Sequence, residues 1–201
     1  MPVPVPVAGI CKIIPPEGWW APPDYREIIE ASTHDAIPTP VQQCIGGARG
    51  VFTLDILEKP AESLKTFEAK ATASAARRLP PGLSYEEREK KFWKSLSTHM
   101  EPPMYGADSL GSLFRSDRAS GWNVDDLDTL LQRKAPPVAG VTDAMLYVGM
   151  WGAMFAYHVE DMNLYSINYL HTGKTTHGSK ITHPRFAFTL TCTLAVPMSQ
   201  P

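Results

Sequence analysis

The sequence predicts an α+β fold, and three observations support this class. Short elements separated by Pro and Gly fill residues 10–60. Between residues 63 and 134, segments that begin with helix-capping residues carry apolar side chains at helical spacing. Beyond Gly140, segments of strand length rich in aromatic and branched residues follow. At 201 residues the chain can form one ordinary domain with a core, or a small module joined to part of a larger domain.

The first 60 residues are predicted to form short elements. We expect a strand at residues 10–14, one or two helical turns at 25–31 and a short strand at 51–54. Pro38 and Pro40 predict an extended segment, because each disfavours the helical region for the residue before it.

Two capped helices are predicted after residue 60. Ser63 is the expected N-cap of a helix whose apolar face includes Phe67. Ser84 and Glu87 match a capping box, and the helix that they begin should end before Pro102.

A third helix is predicted over residues 124–134, and strands are predicted after it. Acidic residues near the start of this helix and basic residues near its end complement the helix dipole. Three leucines form its apolar stripe, namely Leu127, Leu130 and Leu131. The segments 145–150, 153–159 and 164–170 have the length and composition of strands.

Composition argues against several classes of partner and location. With 19 Lys and Arg against 21 Asp and Glu, the net charge of -2 provides no overall basic field for nucleic acid. Cys11, Cys44 and Cys192 are widely spaced, which favours a reducing compartment over a disulfide framework or a local zinc site. No signal peptide is predicted, since the apolar N-terminus alternates with Pro, and the apolar run 144–159 is too short to span a membrane.

His158 and Glu160 are the candidate metal ligands. They lie two residues apart, so on a strand both side chains leave the same face and can converge on one cation. One carboxylate and two imidazoles form the facial triad of non-haem Fe(II) oxygenases, and a distant His would complete it. A His-x-acid pair also arises by chance, and a solvated strand end is the alternative interpretation.

The sequence around this pair resembles the JmjC histone lysine demethylases. The resemblance runs through YVGMWGAMFAYHVEDMNLYSINYLH at residues 147–171. Earlier blocks resemble the JmjN segment, and its connection to JmjC, in the subgroup that removes trimethyl marks from histone H3. These blocks are IIPPEGW at 13–19, IPTPVQQ at 37–43, EKKFWK at 89–94 and PMYGAD at 103–108.

The resemblance assigns roles to individual residues. His158 and Glu160 fall on the first two Fe(II) ligands of the family. Tyr105 and Asn168 match residues that hydrogen-bond the distal carboxylate of 2-oxoglutarate, and Phe155 matches the ring packed against that cosubstrate. Gly140 and Tyr147 match groups that line the methyllysine pocket. Local sequence alone would make Tyr105 a turn residue and Phe155 a core aromatic. It would make Gly140 a turn glycine and Tyr147 a buried strand tyrosine.

The sequence departs from the family pattern after Gly173. Thr176 stands where the family places a cosubstrate-binding lysine, and Lys174 would be displaced by roughly 6.6 Å along a strand. His177 and His183 come too early to be the third iron ligand, and the subgroup's later zinc site has no counterpart. The Thr-rich tail, with alternating apolar residues from Phe186 onward, is a candidate replacement strand.

The resemblance therefore implies a particular organisation of the chain. We expect a JmjN-like segment at 1–60, a helical linker at 61–110, the N-terminal part of a JmjC domain at 111–174 and a divergent tail at 175–201. The fold would be the first part of a double-stranded β-helix, a cupin-like jelly roll, incomplete at its C-terminal end.

The implied function is Fe(II)- and 2-oxoglutarate-dependent demethylation of trimethyllysine in the histone H3 tail, in the nucleus. Because the distal His ligand is missing, the chain is predicted to be inactive as it stands. Two alternatives stay open: a non-catalytic JmjN and partial JmjC fragment that acts by binding or has no function, and a JmjC protein hydroxylase. The JmjN-like blocks favour the demethylase.

Overall fold

The computed structural model describes residues 37–114, 123, 127–155, 160–172 and 188–196, the last segment by its backbone. The elements predicted at residues 10–14 and 25–31 lie outside these ranges, as does the tail after residue 196. Within the described part, helices and an antiparallel sheet confirm the α+β class. No helix among the described residues is long and apolar enough to cross a membrane.

One antiparallel sheet of six strands organises the described residues. Its strands are β1 (Val41–Ala48), β2 (Val51–Glu58), β3 (Met104–Leu110), β4 (Met145–Met150), β5 (Tyr165–Thr172) and β6 (Phe188–Val196). Their order across the sheet is β2-β1-β3-β4-β6-β5. The β1–β2 hairpin lies at one edge, and β4 lies in the interior of the sheet, paired with both β3 and β6.

Helix α1 (Leu64–Arg78) covers one face of the sheet. The Ser63 side chain accepts a hydrogen bond from the Thr66 N–H at 3.1 Å, which confirms the predicted N-cap. Phe67 is fully buried, together with residues of α1 and β4 in the main core. That core contains Ile37, Leu64, Phe67, Ala71, Leu113, Phe114, Ala144, Leu146, Val148 and Met150.

Helix α2 (Tyr85–Ser95) begins at the predicted capping box. The Glu87 N–H donates to the Ser84 hydroxyl at 3.2 Å, and the Ser84 N–H donates to the Glu87 carboxylate at 2.7 Å. The helix ends before Pro102, as predicted. Phe92 packs in a second, smaller core with Ile45 and Met100.

The predicted third helix begins later than expected. Helix α3 covers only Leu130–Lys134, and residues 127–129 are not helical, while 124–126 lie outside the described ranges. Thr129 forms a capping box with Gln132, and Asp128 lies in the left-handed region at φ 52° with its carboxylate paired to Arg133. This local capping starts the helix at Leu130, which is 64% exposed, whereas Leu127 precedes the helix and packs partly buried against the main core.

Two strand predictions also needed correction. A turn at Trp151 and Gly152 follows β4, and residues 153–155 are not strand, whereas 156–159 lie outside the described ranges. Gly152 adopts φ +95°, which favours the turn over a continuing strand. In addition, the short strand predicted at 51–54 extends to Glu58, and it pairs along its whole length with β1, which had not been predicted as a strand.

The tail forms the replacement strand that its composition suggested. Strand β6 pairs with β4 on one side and with β5 on the other, both antiparallel. The described sheet also crosses the predicted domain boundaries, because β1 pairs with β3. The division at residues 60, 110 and 174 stays a prediction.

Candidate functional site

The two faces of β4 differ in what covers them. Leu146, Val148 and Met150 point into the main core with α1. Tyr147 lies on the opposite face, because successive side chains of a strand alternate. We call this second side the tyrosine face.

Tyr105 lies on the tyrosine face beside Tyr147. It pairs directly with Gly149 of β4, two residues from Tyr147, and the ring centroids of the two tyrosines are 6.2 Å apart. A Cβ placed on Gly149 would lie 3.6 Å from the Tyr105 ring. Because Gly149 has no side chain, the Tyr105 ring can pack against the backbone of β4 at this position.

A β-bulge in β3 brings Asp108 to Tyr147. Gly106 pairs with Val148 and Ser109 pairs with Leu146, so Ala107 and Asp108 together oppose Tyr147. Asp108 has φ 53°, in the left-handed region. The Tyr147 hydroxyl donates a hydrogen bond to Oδ1 of Asp108 at 2.9 Å.

Both tyrosines are held in their neutral form. Burial raises the pKa of Tyr105, with a further contribution from the negative charge of Asp108. Burial also raises the pKa of Tyr147, followed by the hydrogen bond to Asp108 and by the charges of Asp108 and Glu160. Two carboxylates therefore act on the Tyr147 phenol, and both phenols remain protonated.

The metal pair is only partly described. Glu160 is half-buried and precedes a 3₁₀ turn at Asp161–Asn163, whereas His158 lies outside the described residues. Among the described residues, no three His, Cys, Asp or Glu side chains lie close enough to hold a metal ion. The donor types of His158 and Glu160 suit Fe(II), but the described residues do not complete an iron site.

His171 is a half-buried histidine of β5 whose two ring nitrogens are both buried. Its ring packs against Phe114 at 5.1 Å and against Tyr169 at 4.8 Å between centroids. Phe114 belongs to the main core, so His171 lies on the α1 side of the sheet, opposite the tyrosine face. Neither ring nitrogen has a hydrogen-bond partner among the described residues, and burial lowers the pKa of His171 to about 4.

Asn168 shares the tyrosine face but stands away from Tyr105. It pairs with Thr193 of β6, which pairs in turn with Met145 of β4, and directly paired residues share a face. Three strand spacings separate β5 from β3, or roughly 14 Å across the sheet. The described structure therefore does not bring Tyr105 and Asn168 to one carboxylate, and their shared role stays a prediction.

Phe155 and Gly140 lie on loops at either end of β4. Phe155 is 67% exposed at the end of the loop that leads toward His158. Gly140 has φ +75°, and its N–H donates to the Asp143 carbonyl at 2.9 Å, as expected of a turn glycine. Their cosubstrate and pocket roles stay predictions.

The loop that follows β4 is held by two residues that sequence reasoning missed. The Gln43 side chain is only 3% exposed; its Nε2 donates to the Met154 carbonyl at 2.7 Å, and its Oε1 accepts from the Met154 N–H at 2.9 Å. The Arg78 guanidinium lies 4.5 Å from the centre of the Trp151 ring and donates to the Trp151 carbonyl at 3.3 Å. The sequence did offer a signal for two missed residues of this face, because Gln43 lies in the IPTPVQQ block and Asp108 lies in the PMYGAD block.

Comparison with known proteins adds an independent finding. A family model described as "JmjC domain, hydroxylase" matches residues 145–177. Over 171 residues the chain is 42% identical to "Lysine-specific demethylase 4D" of Rattus norvegicus, 39% to "Lysine-specific demethylase 4B" of Mus musculus and 40% to "Probable lysine-specific demethylase 4F" of Homo sapiens.

These alignments cover most of this chain but only a small part of each relative. Each covers 83% of this chain, so the similarity extends well beyond residues 145–177. The aligned part is 32%, 15% and 26% of the rat, mouse and human relatives, respectively. The chain thus spans about a third or less of the relatives' length.

Proposed function

This chain belongs to the JmjC family that includes the lysine-specific demethylases, and we propose that it represents an Fe(II)- and 2-oxoglutarate-dependent demethylase of trimethyllysine in histone H3. One observation carries the proposal: the JmjC match at residues 145–177 contains the His158-x-Glu160 pair within a much longer alignment to lysine-specific demethylases. The family is one that depends on Fe(II) and 2-oxoglutarate.

The proposed roles of the site residues follow from that membership. His158 and Glu160 would hold Fe(II), with imidazole and carboxylate as suitable donors. Tyr105, Asn168 and Phe155 would bind 2-oxoglutarate. Bound iron and 2-oxoglutarate would supply the chemistry by which O₂, with 2-oxoglutarate as co-reductant, oxidises an N-methyl group that is then lost as formaldehyde.

The chain's own residues would receive a cationic side chain. Gly140 and Tyr147 would line the methyllysine pocket, and the Asp108 carboxylate accepts the hydrogen bond of the Tyr147 phenol. Negative charge beside a neutral phenol favours an ammonium group over a neutral side chain. This electrostatic match supports a methyllysine substrate.

A chimera tests the proposal. Residues 1–172 would be joined to the JmjC sequence that follows the aligned position in the rat relative, and formaldehyde release from a trimethyllysine H3 peptide would be measured with Fe(II) and 2-oxoglutarate. We expect release by the chimera and a loss of at least about a hundredfold in its His158→Ala and Glu160→Ala variants, because each removes a metal ligand. A folded, iron-loaded chimera without turnover would overturn the proposal.

A non-catalytic role is the second candidate for these 201 residues alone. It is supported by the donor set: His158 and Glu160 are the two proposed ligands, and His171, whose ring nitrogens are buried, lies on the opposite side of the sheet from Tyr147. We propose that the 201 residues alone do not turn over substrate. Formaldehyde release by this chain that required both Fe(II) and 2-oxoglutarate would contradict this.

Mass spectrometry of the chimera's products separates demethylation from protein hydroxylation. A demethylase product loses a methyl group, whereas a hydroxylase product gains one oxygen and keeps all methyl groups. The histone H3 tail is the proposed partner and the nucleus the proposed location. Neither direct nucleic-acid binding nor membrane association is proposed, in keeping with the net charge of -2.

A further inference from the structure

The Asp108 bulge is the least ordinary feature of the tyrosine face. A non-glycine residue at positive φ is uncommon, although Asp is among the residues that tolerate it best. Here the conformation coincides with the extra residue of a β-bulge, a device that redirects a side chain. The redirected carboxylate meets the hydroxyl of Tyr147.

The direction of that hydrogen bond determines what Tyr147 can offer. An ionised carboxylate accepts only, so the phenol must be the donor in the 2.9 Å contact. A phenol has one proton, and it is engaged here. Toward any other group, the Tyr147 oxygen can therefore act only as an acceptor.

An acceptor-only oxygen suits one kind of substrate. A trimethylammonium group has no N–H to donate, but its methyl hydrogens carry positive charge and make weak C–H···O contacts. A phenol with a free proton could turn that proton toward the pocket and repel the cation. Engaging the proton prevents this.

We propose that Asp108 is a positioning residue that fixes the Tyr147 phenol as an acceptor and thereby favours a methylated ammonium over a neutral side chain of the same shape. The inference rests on the proposed function, since it takes methyllysine as the substrate. Asp108 acts through Tyr147, and it is itself exposed at the edge of an open cleft of about 280 Å³ lined by Pro38, Thr39, Val41 and Ala107. A peptide therefore has access to this side of the bulge.

The test compares two peptides on the 201-residue chain, so it does not depend on turnover. One is an H3-tail peptide with trimethyllysine, and the other carries the neutral isostere in which carbon replaces the ammonium nitrogen. Affinities are measured by calorimetry. We expect the unaltered chain to bind the cationic peptide about tenfold more tightly, which is the scale of two C–H···O contacts to the phenol oxygen.

Two substitutions separate the carboxylate from the backbone that carries it. Asp108→Gly removes the side chain but retains the positive φ, and Asp108→Asn retains an acceptor but removes the charge. We expect Asp108→Gly to reduce the preference for the cation to about twofold and Asp108→Asn to fall between. Asp55→Asn, on the exposed edge strand β2, removes the same charge and should leave the preference unchanged.

A double-mutant cycle with Tyr147→Phe shows whether Asp108 acts through the Tyr147 phenol. If Asp108 acts through Tyr147, then Asp108→Gly has no further effect on the preference once the phenol oxygen is gone. Effects that multiply, or an equal loss of affinity for both peptides, would overturn the inference while leaving the proposed function intact. If the unaltered chain binds neither peptide, or both equally, the proposed substrate class fails for this chain and the inference fails with it.

Folding of each variant is checked separately by thermal unfolding. Should Asp108→Gly unfold, Asp108→Asn completes the same cycle with Tyr147→Phe, because Asn also tolerates the left-handed region. The expected result is then a partial loss of preference that disappears in the Tyr147→Phe background. Its persistence there would contradict the positioning role.

Discussion

The two sides of β4 differ in the kind of contact that orders them. Toward α1, Leu146, Val148 and Met150 join a continuous apolar core. Toward the tyrosine face, the smaller core around Ile45 is joined by directed contacts: the Asp108–Tyr147 hydrogen bond, the Tyr105 ring over Gly149 and the Gln43 amide against Met154. The first side should determine whether the chain folds, and the second should determine what it binds.

The largest effect is expected on the α1 side. Phe67→Ala removes a fully buried ring and should lower the free energy of unfolding by about 3–5 kcal/mol, because the lost burial adds to the cost of a cavity. Denaturant unfolding measures it. Phe52→Ala, on β2 where the ring is 44% exposed, is the matched control and should cost less than about 1.5 kcal/mol. Equal effects would remove the distinction between core and edge.

The next effect concerns His171, whose imidazole lies on that side of the sheet. The pKa of His171 is lowered to about 4 from an ordinary value of 6.5, so the unfolded chain binds the proton more tightly. The contribution of His171 to stability is therefore fully present above pH 6.5 and is lost as the pH falls toward 4, by about 3 kcal/mol in all.

Unfolding measured across this pH range, with His171→Phe as control, checks the assignment. The variant keeps an aromatic ring against Phe114 and Tyr169 but cannot be protonated. Its stability should change less between pH 6.5 and 4 than that of the unaltered chain, by the His171 contribution. Identical pH profiles would show that the imidazole is not buried as a neutral group.

A smaller effect is expected from Gln43→Ala. Gln43 lies two residues along β1 from Val41, which pairs with Tyr105, so it belongs to the tyrosine face. Its loss leaves both backbone groups of Met154 without their partner, at a cost of about 1–3 kcal/mol. Hydrogen exchange at the Met154 amide should rise more than at core amides. Gln42→Ala, next along the strand, should leave that exchange unchanged; if it does not, the amide of Gln43 is not what holds the loop.

How far the sequence predicts the structure depends on how local each cause is. Ser63 and Ser84 cap their own helices, so α1 and α2 were predicted with their starts. The same reasoning missed Thr129 and placed the third helix too early, because charge and leucine spacing outweighed a capping box. Strand β1 was missed because its glycines and glutamines obscure the strand pattern until β2 and β3 pair with it.

The candidate site likewise contains residues that local sequence identifies and residues that only strand pairing reveals. Residues that resemble a family motif, such as Tyr105 and Tyr147, could be selected from sequence, and the structure places their rings together. Asp108 could not be given a role, since its direction depends on a bulge created by the register between two strands. The distance between Tyr105 and Asn168 depends on β6 lying between β4 and β5, which no local pattern reveals.

Gly149 lies between two parts of the tyrosine face, the loop that follows β4 and the Tyr105 ring. A methyl group added there would lie 3.3 Å from the Ala153 Cβ and 3.6 Å from the Tyr105 ring. Ala153 stands in the loop that leads toward His158, whereas Tyr105 is the proposed cosubstrate tyrosine. One added carbon would thus crowd Ala153 while making only an ordinary contact with the Tyr105 ring, so the missing side chain at residue 149 is what allows the loop after β4 to lie this close to the strand.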